Sequence, residues 1–238
     1  MPYCGSAPIP AEWLTRWNFD PVLLAAMALG AYIWRTRWRS DASQDRPALA
    51  ALGIAVFLFI SPFCALSSAL FTARVVHDVI LAAFLAPLIA AALPRGLANS
   101  PGSLPVWTAI HVLIFWGWHA PPLYSAALSA DAVFWLMQIS ITGSAAVWWA
   151  KLLRAPAAAS VAALLAGMVA MGLLGALLTF AGQALYPPHW LTTQAWGLSP
   201  LADQQIAGII MWAPASAIYL LAAMAILYRS LGKAERAR

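Results

Sequence analysis

Apolar positions along this chain follow neither the 3.6-residue period of an amphipathic helix nor the alternation of a half-buried strand. They come as long runs, at about residues 20–36, 48–66, 74–94, 104–120, 131–151, 158–181 and 204–228. Runs of this length match the roughly 20 residues of helix that cross a bilayer, and they exceed the roughly ten-residue alternating segments of an outer-membrane barrel. The pattern predicts an all-α, polytopic membrane protein with seven transmembrane helices. Residues 1–19 are expected to form an outer N-terminal segment, residues 20–231 the transmembrane domain, and residues 232–238 a basic cytoplasmic tail. The first run opens at Asp20-Pro21, a capping side chain followed by proline at the first helical position.

Composition agrees with the pattern: 63% of the 238 residues are hydrophobic and 9% are charged, far from the balance of a soluble domain. The net charge of +5 is distributed rather than pooled. Arg35, Arg37, Arg39 and Arg46 follow run 1, Arg95 follows run 3, Lys151 and Arg154 follow run 5, and Arg229, Lys233, Arg236 and Arg238 follow run 7. Only Arg16 and Arg74 of the 13 basic residues fall elsewhere. Basic residues mark the cytoplasmic side, so the N-terminus is expected outside and the C-terminus inside. Topology accounts for the positive charge, and no nucleic-acid partner is implied. Residues 1–19 lack a basic stretch followed by an apolar core, so helix 1 is expected to act as an uncleaved signal.

With this topology, Cys4, Cys64, His77, Asp78, His119, Asp131, His189 and Asp203 all fall at outer helix ends or in outer loops. Arg74 and Asp78 are four apart, share a helix face, and are expected to pair at headgroup level. His77 lies about 100° around the helix from Asp78, which leaves it an interfacial histidine or a ligand. His119 sits where Pro121 and Pro122 end a helix, either among belt aromatics Trp116, Trp118 and Tyr124 or as a ligand. His111, two turns deeper, is expected to be neutral and hydrogen-bonded to a neighbouring helix. His189 is expected to be an ordinary loop residue. Cys4 and Cys64, on an oxidising side, can form a disulfide, hold a soft metal, or do neither. Met137, Met168, Met171 and Met211 read as packing.

Near the carboxyl end, Asp203 is expected to complement the positive end of its own helix. Gln204 and Gln205 enter the membrane needing partners on another helix, Gly208 permits close helix approach, and Pro214 frees a carbonyl. The chain carries no nucleophile elbow, zinc-type Cys/His spacing or phosphate-binding glycine loop, and the expectation is that it is not an enzyme.

Five ordered stretches carry a family resemblance: Cys4-Gly-Ser-Ala-Pro8, Trp17-Asn-Phe-Asp-Pro21, Ser61-Pro-Phe-Cys-Ala-Leu-Ser-Ser-Ala-Leu-Phe71, Trp116-Gly-Trp-His-Ala-Pro121, and Asp203-Gln-Gln-Ile-Ala-Gly-Ile-Ile-Met-Trp-Ala-Pro214. Together they resemble the CtaG-type, or caa3-type, cytochrome c oxidase assembly proteins. The resemblance implies a seven-helix plasma-membrane protein of bacteria that takes part in maturation of haem-copper oxidases and handles copper at the outer side. Many members carry histidine where this chain has Asp78, and some carry it at the positions of Arg74, Phe134 and Gln138. His77 and His119 are the positions that match.

The leading expectation is therefore an assembly factor that presents copper to an oxidase subunit through His77 and His119. Cys64 and Cys4 would be soft donors and Asp78 a weak ligand or supporting group. Arg74, His111, Asp203, Gln204, Gln205 and Pro214 would serve structure or partner contacts. Oxidase subunits, the lipid bilayer and periplasmic copper chaperones are the expected partners. Three alternatives remain open: a metal-free scaffold for oxidase subunits, a transporter of copper or small solutes with Gln204, Gln205, Pro87 and Pro214 along its path, and a b-type redox carrier using His111 with His77.

Overall fold

The computed structural model describes residues 2–236, without the side chains of residues 94, 95 and 233–236. Of the basic residues that set the expected orientation, the side chains of Arg95, Lys233 and Arg236 and the whole of Arg238 lie outside the described residues. The chain is all-helical, with no strand among the described residues.

The first predicted run is α1 (Pro21–Ile33), continued by a wide turn at Trp34–Trp38. Asp20 caps it by accepting from the Val22 amide at 2.9 Å. The second run is broken into α2 (Asp45–Phe59) and α3 (Pro62–Ala69), with a 48° bend between them. Pro62 cannot continue the hydrogen-bond ladder, and Ser61 caps the new start by accepting from the Phe63 amide.

Two runs are carried past an internal proline by a wide turn. Helix α4 (Phe71–Ile80) passes through Leu81–Leu85 into α5 (Ala86–Ala92). The extra residue in the turn makes room for Pro87, and the Trp149 indole donates to the Ala82 carbonyl at 2.9 Å within it. Helix α11 (Pro200–Ile210) likewise passes through Met211–Ala215 into α12 (Ser216–Arg236) around Pro214. There the Ser216 hydroxyl donates to the Met211 carbonyl at 3.2 Å.

Between these rods lie α6 (Pro94–Ala98), α7 (Leu104–Trp118), α8 (Pro121–Ser129), α9 (Asp131–Leu152) and α10 (Ala157–Thr179). Each predicted run is helical. By length and composition, however, four helices are long enough to cross a membrane: Phe71–Ala92, Asp131–Leu152, Ala157–Thr179 and Pro200–Gly232. The bent pair Ala42–Phe59 and Pro62–Ala69 makes a fifth if counted as one span. Helix α7 is apolar but stops at 15 residues because Pro121 and Pro122 restart the chain in a new direction. These features make the chain a multi-pass membrane protein.

Helix α9 packs against α5, α7 and α8, while α10 packs against α11 and α12. The α10–α11 crossing is close, since Gly175 and Gly208 meet backbone to backbone. Large apolar side chains such as Leu29, Leu113, Leu173 and Leu221 point outward, as a hydrocarbon solvent requires.

Candidate functional site

The N-terminal segment is stapled to the bundle. Cys4 and Cys64 form a disulfide, so neither offers the thiolate that a soft metal would need. This corrects the expectation of Cys4 and Cys64 as metal donors: in this oxidised form they are structural. Tyr3 stacks on Phe134, with ring centroids 5.1 Å apart, and meets Trp135 edge-on at 5.0 Å. Its hydroxyl donates to the Asp20 carboxylate at 2.5 Å, which lowers the Asp20 pKa below the usual carboxylate range. The Trp196 indole ties the far end of the segment by donating to the Pro8 carbonyl at 3.1 Å.

Beneath this strap, α4 turns three polar residues inward. Arg74, His77 and Asp78 are all essentially fully buried. The expected Arg74–Asp78 ion pair is not formed among the described residues. Instead, the Arg74 guanidinium lies 5.1 Å from the centre of the Phe134 ring, and the Asp78 carboxylate comes within 3.6 Å of His77 Nδ1. Helical spacing put Arg74 and Asp78 on one face, but the neighbouring α9 supplied an aromatic ring that holds the cation away from the acid. The His77 ring is packed edge-on to Phe59 and parallel to Phe63.

His119 ends α7. Its Nδ1 lies 2.8 Å from the Phe115 carbonyl; a carbonyl only accepts, so Nδ1 carries the proton and Nε2 presents a bare lone pair. This is the arrangement commonly found in histidines that bind metals. The His119 ring lies 4.6 Å from Phe115 and 6.5 Å from Phe71, the first residue of α4. Tyr186 donates to the His119 carbonyl at 2.7 Å and stacks on Phe71 at 3.8 Å.

His189, expected to be an idle loop residue, is 2% exposed and joins three segments. Its Nδ1 donates to the Ala69 carbonyl at 3.3 Å, and its Nε2 accepts from the Tyr124 hydroxyl at 2.6 Å. Burial pulls its pKa down to about 4, so the ring stays neutral near pH 7. The supposed belt aromatics also act inside the protein. Tyr124 is buried, while the indoles of Trp116 and Trp118 donate to the Ala170 carbonyl and the Ser140 hydroxyl on neighbouring helices.

His111 hydrogen-bonds Ser144 Oγ at 3.2 Å and stacks on Trp148. It faces α9, and no hydrogen bond or ring contact joins it to His77 among the described residues. The methionines Met137, Met171 and Met211 lie in the core.

Asp203 does not serve its own helix alone. Ser199 caps α11, and the Asp203 carboxylate reaches α4, accepting from the amides of Phe71 at 2.6 Å and Thr72 at 3.1 Å. Helix α4 has no capping side chain of its own, so Asp203 is its cap supplied from another helix. The Gln204 amide is taken up by backbone groups at Leu178, Gln183 and Leu185. Gln205 is half-buried, and its side chain makes no hydrogen bond among the described residues. Gln204 therefore braces the α10–α11 connection.

A family model described as cytochrome c oxidase caa3 assembly factor matches residues 25–233, nearly the whole chain. The chain belongs to this family. No curated protein and no solved structure matched it. Within this oxidase assembly factor, the notable chemistry is the concentration of buried polar atoms lacking a hydrogen-bond partner in the protein. They include Arg74 Nε, both His77 nitrogens, Asp78 Oδ1, His119 Nε2 and both polar atoms of Gln138. Such groups cost about 1–3 kcal/mol each when left unpaired, and most proteins keep only a few. They lie on α4, on α9 and at the end of α7. No group of three or more His, Cys, Asp or Glu side chains poised to hold a metal exists among the described residues. What is present falls short of such a group: the imidazoles of His77 and His119, each with an unpartnered Nε2, and the Asp78 carboxylate 3.6 Å from His77 Nδ1.

Proposed function

We propose that this assembly factor holds copper in transit at His77 and His119 and hands it to an oxidase subunit at the outer face of a bacterial plasma membrane. It acts without catalysing a reaction. Copper here is cargo, and two imidazoles with a nearby carboxylate give the modest, exchangeable hold that transfer needs. The observation that carries the reading is the unpartnered Nε2 of His119, its tautomer fixed by the Phe115 carbonyl, in the same polar pole as a His77 ring with two unpartnered nitrogens. Asp78, 3.6 Å from His77 Nδ1, would support His77 or act as a weak ligand. The proposal includes seven crossings, with the pole bearing Cys4, His119 and His189 outside. The basic residues of the opposite pole support that orientation.

The test is a Cu(I) titration of the purified, oxidised protein against a competing chelator. Wild type is expected to bind one equivalent, and His77→Ala with His119→Ala to weaken binding by at least about a hundredfold, the loss expected when both donors go. Undiminished binding in the double variant would sink the site. A metal-free scaffold is the second reading, favoured by Phe19, Trp190 and Leu191, which are left exposed at the same pole. It predicts that oxidase subunits co-purify with the double variant as well as with wild type, and that the wild-type protein binds no copper.

A further inference from the structure

The opposite pole carries a second, differently built site. An apolar cleft of about 500 Å³ runs between α1, α2 and α5, walled by Met27, Gly30, Ala31, Leu52, Leu85 and Ile89. At its end lies a second cavity of about 450 Å³, lined by Arg37, Ser40 and Gln44, and Trp38 and Leu93 border both. Each volume lies within the range of about 300–1,000 Å³ usual for ligand sites. Arg35 lines the apolar cleft.

The geometry points to a bound anionic phospholipid, its acyl chain in the cleft and its phosphate at the arginines. Charge decides the headgroup. Arg39 is already neutralised by a two-point bond to Asp45 at 2.6 and 2.7 Å, whereas Arg35 and Arg37 make no ion pair among the described residues and stand at the mouth. Two acceptors on the floor, the Ala92 carbonyl and Gln44 Oε1, are already engaged by the protein. The Ala92 carbonyl accepts from both the Trp34 indole at 3.3 Å and the Gln44 amide at 3.0 Å, and Gln44 Oε1 accepts from the Ser40 and Asp41 amides. Helix α1 buries only Leu23 against the protein, so a seated acyl chain would supply the packing between α1 and the bundle. Basic pockets between helices on the cytoplasmic side are suited to anionic headgroups. No histidine lines the cleft or the second cavity.

The test uses the full chain in phosphatidylcholine vesicles carrying spin-labelled phosphatidylglycerol or, separately, spin-labelled phosphatidylcholine of the same acyl chains. The motionally restricted fraction is expected to favour phosphatidylglycerol by roughly tenfold in affinity. Arg35→Gln with Arg37→Gln should reduce that preference to about twofold or less, at the scale of one surface charge each. Gly30→Leu, at a position lining the cleft where an added Cβ meets nothing within 4 Å, should remove the selective fraction by occupying the acyl-chain site. Arg229→Gln, an exposed basic residue elsewhere on the pole, should change nothing. Equal retention of the two lipids by wild type, or a preference that survives the double arginine variant, overturns the proposal. So does a preference lost equally with Arg229→Gln, which would mark general surface attraction.

Discussion

Gly208→Val is expected to destabilise the bundle by roughly 3 kcal/mol, the upper range for overpacking a close contact. A Cβ at Gly208 would lie 2.6 Å from the Gly175 carbonyl oxygen and 2.7 Å from the Thr179 amide nitrogen, and one at Gly175 would meet the Gly208 carbonyl at 2.6 Å. These obstacles are backbone atoms, which cannot swing aside as a side-chain tip can, so α10 and α11 must separate. Separation would also pull Gln204 from the carbonyls of the α10–α11 connection. Gly53→Ala supplies the contrast. Its added methyl meets nothing within 4 Å, and the gain in helix propensity should leave stability unchanged or raise it by up to about 1 kcal/mol. Unfolding in mixed micelles measures both, and equal effects of the two variants would contradict the close crossing.

Asp203→Ala is expected to cost a further result of similar size, roughly 3 kcal/mol, with the loss felt at α4 although the substitution lies in α11. The change strips the acceptors from the buried amide of Phe71 and the half-buried amide of Thr72. Hydrogen bonds to a charged group contribute about 1.5–3 kcal/mol, and donors left buried without a partner add to the loss. Asp203→Asn keeps one acceptor oxygen and should recover about half. Amide exchange should locate the effect, with the first turn of α4 losing protection in the alanine variant. A protected α4 start together with wild-type unfolding would show that another group caps the helix. Because His77 lies on α4, six residues from Phe71, the alanine variant should also weaken copper binding, whereas Gly53→Ala should not.

Much of this was legible in the sequence for a simple reason: length and apolarity of a run decide whether it is helical in a membrane. Asp20-Pro21 and the close-approach role of Gly208 were readable because each is a local or single-residue property. The number of long rods was harder, since it depends on where Pro62, Pro121 and Pro122 redirect the chain. Side-chain partners were least legible. Arg74 and Asp78 share a face by spacing, yet Phe134, on another helix, decides where the guanidinium rests. Asp203 caps a helix that begins 132 residues earlier, and nothing in the local sequence names that acceptor. His189 looked idle because loops are usually exposed; the Tyr124 hydroxyl and the Ala69 carbonyl that bury it come from distant segments. Of the candidate site, His77 and His119 were singled out as residues of interest. Their unpartnered nitrogens, and the loss of the cysteines to a disulfide, emerge only from tertiary geometry.

The most direct test of the central claim is the copper and subunit content of the caa3-type oxidase isolated from a strain lacking this protein. Complementation with wild type and with the His77→Ala, His119→Ala variant completes the comparison. The account predicts copper-deficient oxidase in the deletion strain, restored by wild type and not by the variant. Fully metallated oxidase at normal levels in the deletion strain would contradict it.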